Sequence, residues 1–554
     1  MKICRNYEFQ LTDLQWERIF LKFVIKTNYK EKPQFILAKF TRSEHEEGVL
    51  ATKIEKMIEL QPEQIEDGTY SFTLNMAAAD GRNFLENGSW RLAAIIAEGF
   101  CVISIVHSLA YQLDTKMRIF PYGKKYSYNV YFSLTSYQEE VLEMFMNSCF
   151  MMENEKWQKR RIVKDAVSFQ WKLRNLFVWA AIRGIRVLYF LMSYILPKNG
   201  KRILLMSETK EYLWGNLKYI DERIRARGLE QDYELNYTFR KAVGNRKGAF
   251  SWLKTLYYIS KSDYIFVDDY APVFGYFKLN KKTKLIQVWH AGEGFKSVGY
   301  SRFGKDGSPY PAESCHKTYD YVTVGSEKLI HVYEEVFGIE KEAFLPTGMA
   351  RLDDFLDEEK ISRFKQNFYK EYPQLRDRKI ILFAPTFRGT GQKEAYYDYD
   401  VLDLKRIYDF CGTEYAFLAK VHPFVDEKIE ISEDYADRIF DFAQYPNIND
   451  LYYITDLLIT DYSSNYYEYA LLKKPVLFFT YDREKYELVR GVHRSVKEHA
   501  PGKVCDSFDE MMEALYHQDF EYEKIEKFVE DNFGEYDGHA CDRIIDRIIL
   551  KKEI

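Results

Sequence analysis

Asn447–Phe479 reads NINDLYYITDLLITDYSSNYYEYALLKKPVLFF. Its pattern is that of a strand, a polar turn, a helix and a second strand. Asp456–Thr460 is a short apolar run, Asp461-Tyr462-Ser463-Ser464 a cluster of turn formers, Asn465–Leu472 a helical stretch, and Pro475–Phe479 another apolar run. Short continuous apolar runs separated by helical segments are the signature of parallel strands buried on both faces. Upstream of this unit, Lys379–Ala384 and Tyr415–Val421 continue the same series. A first series precedes it at similar spacing: Arg202–Ser207, Tyr264–Val267, Lys284–Trp289 and Tyr321–Val324. Two βα series predict an α/β fold class, with two Rossmann-like domains facing a cleft, over residues 201–370 and 371–554. Beyond Ser507 the pattern is helical and is assigned to the second domain.

Outside these series the chain changes character. Residues 1–130 carry short alternating runs, such as Gln34–Phe40 and Tyr70–Asn75, broken by Asp67-Gly68, Asp80-Gly81 and Asn87-Gly88. They predict a small β-rich accessory domain of sandwich type. Residues 131–200 are read as a helical, basic and aromatic segment. From Lys156 to Arg186 there are nine basic residues and one acidic residue, Asp165, and a greasy stretch, Leu176–Leu196, overlaps them. Arg183 and Arg186 lie near the middle of that stretch, where a bilayer crossing is costly. A helix in the headgroup plane avoids this, with Trp171, Phe177, Trp179 and Leu188 against lipid and Lys159, Arg160, Arg161 and Lys164 facing anionic headgroups. The competing reading is an interdomain helix with a solvated basic face.

Composition narrows the partners. The 554 residues carry a net charge of −5, which offers no overall attraction for nucleic acid. Aromatic residues make up 17% of the chain, a share suited to sugars, polyols or a membrane interface. Seven scattered cysteines, none in CxxC spacing, argue against a disulfide framework or zinc site and fit a reducing compartment. The sequence shows no signal-peptide pattern at its start and no long uncharged apolar run.

Five polar clusters follow strand ends, where open α/β sheets bind ligands. After Val288 comes His290, then a loop with Gly292 and Gly294 whose amides suit a phosphate, and Lys296. Thr347–Asp353 offers Arg351. Ala384-Pro385-Thr386-Phe387-Arg388 supplies a hydroxyl and a guanidinium fork. Lys420 and His422, two apart on an extended segment, aim at one ligand. Asp461, Ser463 and Ser464 open a helix whose free amides form a phosphate cradle, and Glu468 one turn on is placed for a ribose hydroxyl. The bland alternatives are a structural histidine, a surface ion pair and plain helix caps.

Taken together, these clusters resemble the CDP-glycerol glycerophosphotransferase family, the teichoic-acid and capsule polyol-phosphate primases and polymerases. The match runs from about Arg202 to Asn532 and includes QVWHAGEGFKSVGYS (Gln287–Ser301), PTGMARLDDF (Pro346–Phe355), ILFAPTFRG (Ile381–Gly389), KVHP (Lys420–Pro423) and Asn447–Phe479. The resemblance implies a GT-B type fold and transfer without a metal or other cofactor. It implies that His290 and His422 are central, and that Arg351, Pro385, Thr386, Ser463 and Ser464 lie in a CDP-alditol pocket. The implied partners are CDP-glycerol or CDP-ribitol, a lipid-linked polymer acceptor and an anionic membrane surface, with the enzyme peripheral on its cytoplasmic face. Three places depart from the family pattern: the Ala291–Phe295 loop, Ala350, and Arg490-Gly491-Val492-His493-Arg494. They leave the alditol and acceptor open. A nucleotide-sugar glycosyltransferase shares the fold, and a non-catalytic scaffold is the third reading.

Overall fold

The computed structural model describes residues 8–41, 53–66, 68–122, 126–138, 141–150, 169–241, 248–290, 298–302, 314–389, 394–490, 494–534 and 536–552. Twelve strands between Phe9 and Phe150 form one sheet, antiparallel except where Phe9–Glu17 runs alongside Ser104–Ile105. The sheet curls so that its distant parts meet. The ring of Phe35 lies 4.8 Å from Tyr70 and 5.0 Å from Phe72. Along the sheet, five strands separate Gln34–Thr41 from Thr69–Asn75. The expected sandwich is therefore a single curled sheet around one apolar core. It also extends further than expected. The hairpin Tyr126–Gln138 and Val141–Phe150 occupies positions assigned to a helical segment. Alternation explains it, since Tyr128 and Val130 are buried while Tyr131 faces out.

The helix that follows spans Phe169–Ile195. Ile185, Leu188, Tyr189 and Met192 pack on the core of the next domain, so Leu188 is covered by protein and does not face lipid. Tyr189 accepts the Asn280 N–H at 2.9 Å. The opposite face leaves Val187, Phe190, Leu191, Tyr194 and Ile195 exposed. No described helix is long and apolar enough to cross a membrane. Lys159, Arg160, Arg161 and Lys164, and the side chains of Trp171, Phe177 and Trp179, lie outside the described residues.

Two six-stranded parallel sheets form the rest. In chain order the first is arranged 2-1-3-4-5-6, beginning with Arg202–Ser207 and including Tyr264–Val267 and Lys284–Gln287. The second is arranged 3-2-1-4-5-6, with Lys379–Phe383 beside Leu457–Thr460. Each order reverses at one point, between Arg202–Ser207 and Tyr264–Val267 in the first sheet and between Lys379–Phe383 and Leu457–Thr460 in the second. At such reversals the loops diverge, and open α/β sheets bind ligands beyond the carboxyl ends there.

The chain end does not stay with the second sheet, as its assignment to 371–554 had it. Helix Ala540–Ile544, continued through Ile549, buries Cys541, Ile544, Ile545, Ile548 and Ile549 against Ile203, Leu205 and Leu217 of the first. Arg227 grips Asp542 at 3.0 Å and Asp546 at 2.7 Å. An amphipathic IIDRIIL pattern shows that one face is buried, not which core buries it. The curled sheet docks on the first α/β domain through Arg18, whose Nε lies 2.9 Å from the buried Glu335 carboxylate. Arg82 pairs with Glu340, and Asn75 donates to the Glu334 carbonyl at 3.0 Å.

Candidate active site

On the side of the second sheet, the expected donor pocket divides into a buried frame and an open edge. Asp461 is 1% exposed. Its Oδ1 accepts the Thr386 N–H at 2.7 Å, and its Oδ2 accepts Nη1 of Arg388 at 2.7 Å. Nε and Nη2 of Arg388 reach Asp482 at 2.7 and 2.9 Å, and Nη1 also reaches the Thr386 carbonyl at 3.0 Å. Burial opposes the charge, but the Asp461 and Asp482 carboxylates hold the guanidinium above its ordinary range. Arg388 and Asp461, both expected at the donor, are thus paired with each other in this structure. They brace the crossover loop. Pro385 and Thr386 are buried in the same frame. Lys420 is buried too and donates to the Ala443 carbonyl at 2.7 Å, with burial pushing its ammonium below the usual value. It does not share an open face with His422.

The open edge is made by His422, Ser463 and Ser464, all partly exposed. Thr460 Oγ1 donates to Asn465 Oδ1 at 2.9 Å, and Asn465 Nδ2 donates to the Ala384 carbonyl at 2.7 Å. The serine turn is thereby pinned to the neighbouring strand end. The helix after it is one short turn, Tyr466–Ala470, less than the run expected from the sequence. The His422 ring packs between Phe387 and Phe424, with centroids 4.8 and 4.7 Å away. Its Nδ1 lies 3.1 Å from the Phe424 backbone nitrogen. A backbone N–H only donates, so Nδ1 accepts and the proton of the neutral ring sits on Nε2.

His290, on the facing domain, has the opposite arrangement. Its Nδ1 lies 3.2 Å from the Asp268 carbonyl, which only accepts. The proton therefore sits on Nδ1, and Nε2 carries the lone pair. Trp289 beside it has φ of +44°, a left-handed conformation unusual for a bulky residue, costing about 1–3 kcal/mol. Three buried hydrogen bonds hold it there. Gln287 Oε1 accepts the Trp289 N–H at 2.9 Å, and Asn216 Nδ2 donates to the Val288 and Trp289 carbonyls at 2.8 and 2.6 Å. Asn216 Oδ1 also accepts the Arg351 N–H at 2.9 Å. One amide thus couples the histidine turn to the Arg351 segment. Gly292, Gly294 and Lys296 lie outside the described residues.

Arg351 and Glu468 meet across the cleft as an ion pair, with Arg351 Nη2 also 3.4 Å from the His290 carbonyl. Glu468, expected at a ribose hydroxyl, is 7% exposed and makes this pair. Asn216, Gln287 and Asp482 were not singled out from sequence. Each acts through a partner remote in the chain or through buried backbone, and leaves no local signal. Asp268 is buried, and burial pushes its carboxyl up to about 6.

The family model described as CDP-glycerol:poly(glycerophosphate) glycerophosphotransferase matches residues 188–550. The chain is 37% identical over 376 residues to the teichoic acid poly(ribitol-phosphate) polymerase of Bacillus spizizenii, covering 67% of this chain and 60% of that protein. It is also 37% identical to the ribitol-phosphate polymerase TarK of Staphylococcus aureus, covering 63% of this chain and 68% of that protein. The B. spizizenii teichoic acid ribitol-phosphate primase is 30% identical, covering 67% of this chain and 97% of the primase. Among solved structures, the wall teichoic acid polymerase TagF aligns with a TM-score of 0.52 at 22% identity, over 69% of this chain and 97% of TagF, a likeness of fold. With the match spanning both parallel sheets and every cluster of the cleft, the chain belongs to the CDP-glycerol:poly(glycerophosphate) glycerophosphotransferase family.

Proposed function

We propose that the chain transfers a polyol phosphate, with ribitol phosphate favoured over glycerol phosphate, from a CDP-alditol to a hydroxyl of a lipid-linked acceptor. The product is teichoic acid or a capsular polymer, and CMP is released. This reading is carried by two ring contacts, His290 Nδ1 against the Asp268 carbonyl and His422 Nδ1 against the Phe424 N–H, from which opposed tautomers follow. His290 presents a lone pair at Nε2 and His422 presents an N–H. Attack of a hydroxyl on a pyrophosphate needs one proton acceptor and one donor to the developing phosphate charge. On this reading His290 Nε2 takes the acceptor's proton as its oxygen bonds to the β-phosphorus. The bond from that phosphorus to the bridging oxygen breaks and CMP leaves with the electron pair. The His422 N–H and the Ser463 and Ser464 hydroxyls meet the displaced charge. The preference for ribitol rests on the 37% identity to ribitol-phosphate polymerases, against 32% or less for the glycerol-phosphate relatives compared.

The reading also sets the enzyme on the cytoplasmic membrane face, held by the helix Phe169–Ile195 and the basic residues before it. The test is CMP release from CDP-ribitol and CDP-glycerol with a lipid-linked acceptor, followed by sizing of the product. Turnover of CDP-ribitol is expected. Inertness to both donors, with turnover of a nucleotide sugar, overturns the reading in favour of a glycosyltransferase.

A further inference from the structure

Two loops that carry chemistry are stapled together by one buried side chain. Gln287, fully buried, accepts the Trp289 N–H on Oε1 and donates from Nε2 to the Asp269 carbonyl at 3.1 Å. The loop after Tyr264–Val267 is thereby held in fixed relation to the loop bearing His290. The result is a carboxylate behind the imidazole, at ion-pair and not hydrogen-bond distance. Asp269 Oδ2 lies 3.8 Å from His290 Nδ1, beyond the Asp268 carbonyl at 3.2 Å. The other Asp269 oxygen takes the Tyr270 N–H at 2.6 Å, which prevents the carboxylate from turning away. Among the described residues no other carboxylate comes within 4.0 Å of this ring.

We propose that Asp269 is a positioning residue for His290: with the Asp268 carbonyl it keeps the ring proton on Nδ1, and it balances the positive charge the imidazole gains when Nε2 accepts a proton. The inference rests on the proposed function, which makes His290 the proton acceptor. Among the described residues the other charged groups around the ring do not supply this. The Asp268 carboxyl is buried and accepts from Ser207. Arg351 approaches the His290 carbonyl, a backbone atom, and Glu468 neutralises it. Asp269 is 24% exposed at its side chain, in partial contact with water, and is placed for the ring. It touches the histidine and not the reacting atoms.

The experiment compares the full-length protein with Asp269→Asn, Asp269→Glu and His290→Gln, each checked for an unchanged thermal midpoint. Asp269→Asn is expected to lower kcat for CMP release by about 10²-fold, the lower end of what a positioned base supplies. KM for the CDP-alditol should stay within about twofold, and Asp269→Glu should recover part of the loss. A readout independent of turnover is the ¹⁵N spectrum of histidine-labelled protein, with the His290 signals assigned by their loss in His290→Gln. Wild type should show the proton on Nδ1, and Asp269→Asn a mixture of tautomers. Unchanged kcat in Asp269→Asn, or a lowered kcat with the tautomer unchanged, overturns the positioning role. If His290→Gln itself releases CMP normally, the proposed function fails and not the inference alone.

Discussion

Arg351 and Glu468 are ion-paired across the cleft, one from each parallel-sheet domain, and the same guanidinium lies 3.4 Å from the carbonyl of His290. The pair therefore ties the relative placement of the two sheets to the position of the histidine. Breaking a buried pair from one side leaves an uncompensated charge, at a cost of about 3–5 kcal/mol.

Arg351→Met should accordingly lower the thermal midpoint and kcat/KM together. Arg351→Met with Glu468→Leu should regain most of the stability, since no charge is left buried, yet little activity. Thermal unfolding and CMP release measured on the two singles and the double form a cycle that isolates the coupling. Equal midpoints in all four proteins would show that the pair contributes nothing.

Arg388 and Asp461 predict a different outcome. Their bonds brace the loop from inside, and four rings, Tyr397, Tyr462, Tyr481 and Tyr486, lie between 5.1 and 5.3 Å from the guanidinium. Asp461→Ala should destabilise by about 3–5 kcal/mol and be recovered poorly folded. Arg388→Lys should also destabilise, because an ammonium cannot bridge two carboxylates in a fork. A stable Asp461→Ala protein with only a raised KM for the donor would instead support the donor-binding assignment.

The Arg388 pairing shows what the sequence carried and what it did not. Arg202–Ser207 and Tyr264–Val267 were legible to the residue, because a parallel strand buried on both faces is a continuous apolar run. Phe344–Leu345 and Lys503–Cys505, at sheet edges, are too short to rise above a loop. The positions of His290, His422, Ser463 and Ser464 after strand ends were legible as well. Whether Arg388 faced a phosphate or a carboxylate was not, since its partner Asp482 is 94 residues away and nothing near Arg388 announces it.

Asp268 carries a pH signature. Burial, opposed by its hydrogen bond with Ser207 and by His290, raises its carboxyl from 3.8 to about 6. A carboxyl with a raised folded value binds its proton more tightly when folded, so it costs nothing below the unfolded value. The penalty grows through the interval and is complete above the folded value, at about 3 kcal/mol. Asp268→Asn removes it and keeps the backbone carbonyl that meets His290. Urea midpoints should show the variant more stable than wild type by up to about 3 kcal/mol at pH 8 and by about half that at pH 5. A difference that does not change with pH would contradict the assignment.

His422→Ala should act on the chemical step. Removing one donor to developing phosphate charge costs on the order of 10²-fold or more in kcat. On the proposed reading the groups that meet the pyrophosphate are N–H and O–H donors, so EDTA should leave CMP release nearly intact. Near-complete loss in chelator, restored by Mg²⁺ or Mn²⁺, would reveal a metal requirement.

The helix Phe169–Ile195 makes the last prediction, because one of its faces packs on protein and the other is exposed. One face is a strut, with Tyr189 stacked on Phe277 at 4.3 Å and Arg186 donating to the Tyr276 carbonyl. The other face holds Phe190 at 69%, Tyr194 at 83% and Ile195 at 71% exposure, and the helix Ala249–Lys261, which contacts this one, exposes Phe250 at 82%. An apolar side chain moved from water into lipid contributes about 1.5–3 kcal/mol when fully buried, and each cation near an anionic surface about 1 kcal/mol. Stable dwelling on a membrane takes two such signals, and the basic run Lys159–Lys164 precedes the apolar face in the chain. Phe190→Ser with Tyr194→Ser should therefore weaken binding to anionic vesicles at both low and high salt. Changing Lys159, Arg160, Arg161 and Lys164 to Ser should weaken it by a few kcal/mol at low salt and much less at high salt, where the charge term is screened. Turnover on a short soluble acceptor should survive both sets, since the strut face and the cleft are untouched. Co-sedimentation of wild type and both variants with vesicles containing anionic lipid is the measurement. If all three pellet equally at every salt concentration, the helix is a strut alone, and its outer face has another occupant.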